Sequence, residues 1–173
     1  MSRRASHLPI AVMTDAERCM GERSQEGARS SEHERRKPRG RLLVVEDDFD
    51  LRRLTRFLLT HLGYHVDVAC DAKSAMQVVA EAEKPFDLLL CDVILPFGIG
   101  GAALAQELSR LHPKLKTIFM SGYPEHTIKA DGKVPDDATV IMKPFRQAQL
   151  EALLRQTLTP EENASEPTDK DDC

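Results

Sequence analysis

Glu46, Asp47 and Asp48 stand side by side, and a fourth carboxylate, Asp92, ends the apolar run Leu88-Leu89-Leu90-Cys91. Ser121 ends a second apolar run, Thr117-Ile118-Phe119-Met120. Lys143 follows a third, Thr139-Val140-Ile141-Met142. Carboxylates gathered in one place repel one another unless a cation shares them. Oxygen donors in that number suit a hard ion, and octahedral Mg²⁺ is the natural one. A lysine and a serine opposite are the groups one would place around a phosphoryl group. The set points to phosphoryl chemistry, provided the fold brings its members together.

Each residue also has a plainer reading. Consecutive acids decorate helix N-termini because the macrodipole favours them there. An aspartate or serine after a strand is an ordinary turn residue. A lone lysine is usually on the surface. What weighs against these readings is the joint occurrence at four strand ends.

Five short apolar or alternating runs are expected to be strands: Arg41 to Val45, Tyr64 to Ala69, Leu88 to Asp92, Thr117 to Ser121 and Thr139 to Met142. The third is apolar at nearly every position, as in a strand buried on both faces. Between them lie helical patterns. Leu51, Leu54, Leu58 and Leu62 recur at helical spacing, with Gly63 as a stop. Asp71 is placed to N-cap a helix presenting Ala75, Met76, Val79 and Ala80. Gly98, Gly100 and Gly101 form a turn before a helix carrying Leu104, Leu108 and Leu111. Gly122 to Asp137 is rich in Gly, Pro and Asp, so its helix should be short or irregular. The last helix should bury Leu150, Leu153, Leu154 and Leu158, with Pro160 as its stop. Strand alternating with helix implies an α/β fold: a five-stranded parallel sheet, doubly wound, in the order 2-1-3-4-5. In that order strands 1, 3, 4 and 5 are adjacent, and their carboxyl ends form one pocket.

The 173 residues suffice for one domain with tails. Three segments are expected: 1–40, a disordered polar and basic extension; 41–158, the folded domain; and 159–173, a disordered acidic tail. The extension carries a net charge of +3 and the tail −5. A weak helix over Thr14–Gly21 is compatible with a Thr14 and Glu17 capping box. No apolar run approaches the ~20 residues of a membrane span, and the N-terminus is a poor signal peptide. The expected location is cytoplasmic, without membrane attachment. Cys19, Cys70, Cys91 and Cys173 form no CxxC pair or metal-ligand spacing, so reduced thiols are expected.

The stretches Leu43-Val44-Val45-Glu46-Asp47-Asp48, Leu89-Leu90-Cys91-Asp92-Val93-Ile94-Leu95-Pro96, Phe119-Met120-Ser121-Gly122-Tyr123 and Met142-Lys143-Pro144-Phe145 together resemble the receiver domains of two-component response regulators. The Gly98–Gly101 turn and the Ser-Gly-Tyr look most like receivers of hybrid histidine kinases. The resemblance covers about residues 41–158 and implies a flavodoxin-like fold. It implies that Asp92 is the phosphoacceptor, that Glu46, Asp47 and Asp92 hold Mg²⁺ together with the backbone carbonyl of Ile94, and that Asp48 falls one place beyond the acidic pair. Ser121 would bind a phosphoryl oxygen and Lys143 would pair with the phosphoaspartate. The Lys143–Pro144 bond would be cis. The phosphoryl donor would be a histidine kinase phosphohistidine, and the output a protein contact, usually through the fourth helix, fifth strand and fifth helix.

Three positions depart from the family pattern. Val140 stands where a Tyr or Phe often rotates as a switch, which favours another route for the signal, such as the loop from Gly122 to Pro135. Arg146 stands where a Ser or Thr N-cap is common, so the last helix is expected to start loosely. Ile94 is apolar where a polar residue can orient the hydrolytic water, so the phosphoaspartate should be long-lived. A lifetime assay checks this: Ile94→Asn should shorten the lifetime, and an unchanged or longer one would refute the expectation.

The reading is a stand-alone receiver, a phosphoacceptor with no ATP motif of its own that can dephosphorylate itself but is otherwise not an enzyme. Its partners would be a histidine kinase and a downstream protein, with a homodimer compatible. Rivals are a phosphorelay intermediate passing phosphate to a histidine phosphotransfer protein, and a degenerate receiver acting as a constitutive binding or dimerisation module. A basic-arm nucleic-acid binder using residues 29–41 would bind without sequence specificity, so no specific nucleic acid is expected. A haloacid-type phosphatase wants a second Asp two residues after the first, and Ile94 stands there.

Overall fold

The computed structural model describes residues 38–159. The expectations for the terminal extension, its Thr14–Gly21 helix and basic cluster, the Pro160 stop and the acidic tail lie outside these residues, apart from the few at their inner edges. Five strands, β1 (Arg41–Val45), β2 (His65–Ala69), β3 (Leu88–Asp92), β4 (Lys116–Ser121) and β5 (Thr139–Met142), alternate with five helices. The helices are α1 (Phe49–His61), α2 (Ala72–Ala80), α3 (Gly101–Leu111), α4 (Glu125–Ala130) and α5 (Gln147–Leu158). The strands pair in parallel in the order β2-β1-β3-β4-β5, as the doubly wound reading requires. Arg39 and Gly40, expected within the extension, instead join the folded unit: Arg39 N–H donates to the Gly63 carbonyl and His65 N–H to that of Gly40.

All five residues of β3 are buried, and their alternation divides the core. Leu89 and Cys91 face a cluster with Ala72, Ala75, Leu104, Leu108, Phe119 and Ile128, contributed by α2, α3, β4 and α4. Leu88 and Leu90 face a second cluster with Leu59, Leu150 and Leu154 of α1 and α5. Helices therefore cover both faces, which is why the central strand carries no polar residue until its last position.

The helix ends follow local chemistry. Asp48 N-caps α1 by accepting from Leu51 N–H at 2.7 Å. Asp71 caps α2 through Ser74 N–H at 2.7 Å, and the Ser74 hydroxyl accepts from Asp71 N–H at 3.1 Å, a complete capping box. As the Arg146 position led one to expect, no side chain caps the first turn of α5; the Gln149 carboxamide accepts instead from Arg146 N–H at 2.8 Å. α4 has six residues, as its Gly- and Pro-rich surroundings foretold.

The α1 face differs from its leucine spacing. Its buried residues are Arg52, Thr55 and Leu59, while Leu54 is 52% exposed and Phe57 66%. Leu111 of α3 likewise points outward. The lysine–proline bond at 143–144 is cis. Cys91 is a buried free thiol, as expected. Among the described residues no helix is long and apolar enough to cross a membrane.

Candidate functional site

Register brings the chemistry to one edge. Val45 is paired with Cys91, Asp92 with Met120, and Ser121 with Met142. The residue after each strand is fixed by the next rung: Glu46 N–H donates to the Ala69 carbonyl, Val93 N–H to Met120, and Lys143 N–H to Ser121 at 2.7 Å. Glu46, Asp92, Ser121 and Lys143 thus emerge at the carboxyl edge of adjacent strands. Such an edge is where open parallel sheets bind ligands.

The side chains then meet. Lys143 Nζ lies 2.5 Å from Asp92 Oδ2 and 2.6 Å from Glu46 Oε2, bridging two carboxylates. Its contact with Asp92 is a directed hydrogen bond. Glu46 Oε2 is buried without a directed hydrogen bond, so its contact with the ammonium is an ion pair only. Asp92 Oδ1 accepts from Ile94 N–H at 2.9 Å. Carboxylate oxygens of Glu46, Asp47 and Asp92 come within 4.8 Å of one another. Glu46 and Asp92 are buried and Asp47 is exposed, so the cluster opens to solvent on one side.

Burial pushes the Glu46 carboxyl up to about 7, against the opposing pull of Lys143 and with added repulsion from Asp92. For Lys143, burial acts to lower the pKa, but the contacts with Asp92 and Glu46 outweigh it and the net direction is upward. The Cys91 thiol is raised first by burial, then by the charge on Asp92, so it stays protonated beneath the site. The Glu46 direction sets a pH dependence. In metal-free protein the folded state holds the Glu46 proton to higher pH than the unfolded chain does. The resulting stabilisation is present below the ordinary value of 4.5 and is lost as pH rises through about 7. Denaturation midpoints in EDTA at about pH 5 and about pH 8 should therefore fall with pH, and Glu46→Gln should shrink the fall.

The donor set fits a hard divalent cation. Three carboxylates share one opening with an ammonium as the sole cation in contact with both Glu46 and Asp92 among the described residues, and the buried Glu46 oxygen is left short of hydrogen bonds. Asp48 does not join them, because its carboxylate is spent on the α1 cap; for that residue the plainer reading holds. Ser121 is present but engaged elsewhere: its hydroxyl accepts from Tyr123 N–H at 2.9 Å and donates to the Tyr123 carbonyl at 3.0 Å. The sequence reading missed Arg52. Its buried guanidinium donates to the carbonyls of Glu46 (2.7 Å) and Asp47 (3.1 Å), tying the acidic turn to α1. The available signal was its spacing with Thr55 and Leu59, three and seven residues on, along one helix face.

Fold and site define a class: a doubly wound parallel α/β domain with an acidic pocket and a lysine at the carboxyl edge of its sheet. The family model for the response regulator receiver domain matches residues 42–155, and the chain belongs to that family. Phosphorelay signalling and Mg²⁺ binding at an acidic pocket are general to it. The chain is 36% identical over 110 residues to the response regulator receiver protein CpdR of Brucella abortus (strain 2308), covering 64% of this chain and 89% of that one. It is 32% identical over 119 residues to the sensor kinase CckA of the same organism, covering 68% of this chain but 12% of the kinase. The crystal structure of the receiver domain from the hybrid histidine kinase CckA superposes with a TM-score of 0.58 at 31% identity, covering 69% of this chain and all of that domain.

Proposed function

We propose that this chain accepts a phosphoryl group on Asp92 from the phosphohistidine of a histidine kinase and signals through protein contacts as a single receiver domain. The observation that carries the reading is the Lys143 ammonium bridging Asp92 and Glu46 inside a pocket of three carboxylates. An Asp92 carboxylate oxygen attacks phosphorus in line as the phosphorus–nitrogen bond to the donor imidazole breaks. Ile94 N–H and Lys143 hold the nucleophile from two sides and fix its orientation. Lys143 then neutralises charge on the transferred group, at the cost of little reorganisation because it is already in place. Glu46, Asp47, Asp92 and the Ile94 carbonyl are the groups that would hold Mg²⁺, which supplies positive charge for the phosphoryl oxygens when bound. For Ser121 to bind a phosphoryl oxygen, its hydroxyl must give up its donor bond to the Tyr123 carbonyl. That makes the Gly122–Tyr123 turn the first element to feel phosphorylation, a role open to it because Val140 carries no rotating aromatic ring.

The likeness to the CckA receiver supports a second reading, a relay that passes its phosphoryl group onward. Rapid back-transfer from Asp92 to a histidine phosphotransfer protein would distinguish it. The first experiment is incubation with acetyl phosphate. One Mg²⁺-dependent, hydroxylamine-sensitive phosphoryl group on the peptide containing Asp92 is expected. A folded chain that takes no label, or takes it elsewhere, would overturn the reading.

A further inference from the structure

Phe97 combines two unfavourable features in one residue. Its φ of 66° lies in the left-handed region, where a bulky residue is an outlier. Its side chain is 85% exposed, so the ring gains almost nothing from the core. Ile94 and Ile99, on the same loop, are 50% and 52% exposed. The loop leaves directly from Asp92, and Gly98 beside Phe97 already supplies a residue suited to positive φ. Neither the turn nor the core accounts for an aromatic ring here. A strained, solvated aromatic beside a reactive group is a reason to look for function.

We propose that Phe97, with Ile94 and Ile99 beside it, is an apolar docking knob for the phosphohistidine-bearing protein, an inference that rests on the phosphoacceptor reading above. The Asp92 side chain is 12% exposed and sits at the floor of the pocket. A protein donor must bring phosphorus into contact with that floor, so its surface covers the loop that rises from Asp92. An aromatic ring at such a point has the size and stiffness of an interface anchor. A small phosphodonor reaches the same floor without touching the loop. The occupant is thus the donor protein, and Phe97 acts on docking without altering the reacting groups.

The test compares wild type, Phe97→Asn and Phe97→Leu with two donors. One is acetyl phosphate. The other is the kinase that labels wild type fastest among a panel of purified phosphorylated histidine kinases. Asn tolerates the left-handed backbone, so Phe97→Asn should denature at the wild-type urea midpoint or above it. With the kinase, Phe97→Asn should lose about tenfold or more in kcat/KM, mainly through KM. With acetyl phosphate its rate should stay within about twofold of wild type, and Phe97→Leu should behave like wild type with both donors. Equal loss with both donors would place Phe97 in the pocket's own chemistry and overturn the inference. So would full kinase activity in Phe97→Asn, dissociation of a wild-type dimer without change in transfer, or labelling of wild type by acetyl phosphate but by no kinase. Failure of the phosphoacceptor reading shows separately, as no acetyl phosphate label on Asp92 in wild type.

Discussion

Lys143→Met should lower the rate of phosphorylation by acetyl phosphate by about two to three orders of magnitude, the scale on which a preorganised charge at a transferring group matters. The side chain is the cation that contacts both Asp92 and Glu46. Methionine keeps most of the aliphatic length and removes the charge. Three consequences separate this from a general loss of structure. Without its cation, Glu46 is left buried beside Asp92, so its carboxyl should titrate higher still, because burial already dominates its shift. The metal-free variant should be destabilised by about 3 kcal/mol, as when one partner of a buried pair is removed. Mg²⁺ affinity should rise, since the ammonium no longer competes for the same carboxylate oxygens. Added Mg²⁺ should then recover much of the lost stability but little of the lost rate. Calorimetric Mg²⁺ titration, urea denaturation with and without Mg²⁺, and acetyl phosphate labelling read these effects separately. A variant that labels at the wild-type rate would remove Lys143 from the reaction.

The parts legible in the sequence are those in which one residue type serves one purpose. Leu88 to Cys91 could be read as a strand buried on both faces because helices do cover both faces there. Glu46, Asp92, Ser121 and Lys143 could be placed together because parallel order makes the residue that ends or follows each strand a neighbour of the corresponding residue on the next. What was not legible depends on which way a side chain turns. Asp47 and Asp48 are chemically equivalent side chains that only the family resemblance told apart; one belongs to the acidic cluster and the other caps a helix. Ser121 stands at the right place with its hydroxyl bound to its own turn. In α1, hydrophobicity misled: the inner face lies under a polar turn whose carbonyls need a donor, so Arg52 is buried and Leu54 is not. The α5 start shows the same limit, since the group that satisfies Arg146 N–H is three residues downstream.

Gly101→Ala should be the most damaging small substitution near the pocket, costing about 3 kcal/mol or more in urea denaturation. A Cβ at residue 101 would stand 2.0 Å from the Asp92 carbonyl oxygen, 3.0 Å from the Asp92 carbonyl carbon and 3.1 Å from Cys91 Sγ. The first two are backbone atoms of β3 and cannot swing aside. Gly101 opens α3, and its N–H donates to the Val93 carbonyl at 3.1 Å. To admit a methyl group, either the first turn of α3 must lift from the sheet or the end of β3 must move. Both outcomes displace Asp92 relative to Lys143 and Glu46, whose separations of 2.5 and 2.6 Å from the Lys143 ammonium leave little slack. Displacements of this size cost rate as well as stability, so labelling by acetyl phosphate should fall even at temperatures where the variant is folded. Gly100→Ala is the control. It is an adjacent glycine, its φ is negative, and its added Cβ would meet nothing closer than the Val93 carbonyl oxygen at 3.7 Å. It should lie within about 1 kcal/mol of wild type, the range expected for exchange at an N-cap without a side-chain bond. If the two alanines prove equally mild, α3 does not press on the Asp92 carbonyl, and the strand end is not held in place by the helix that follows it.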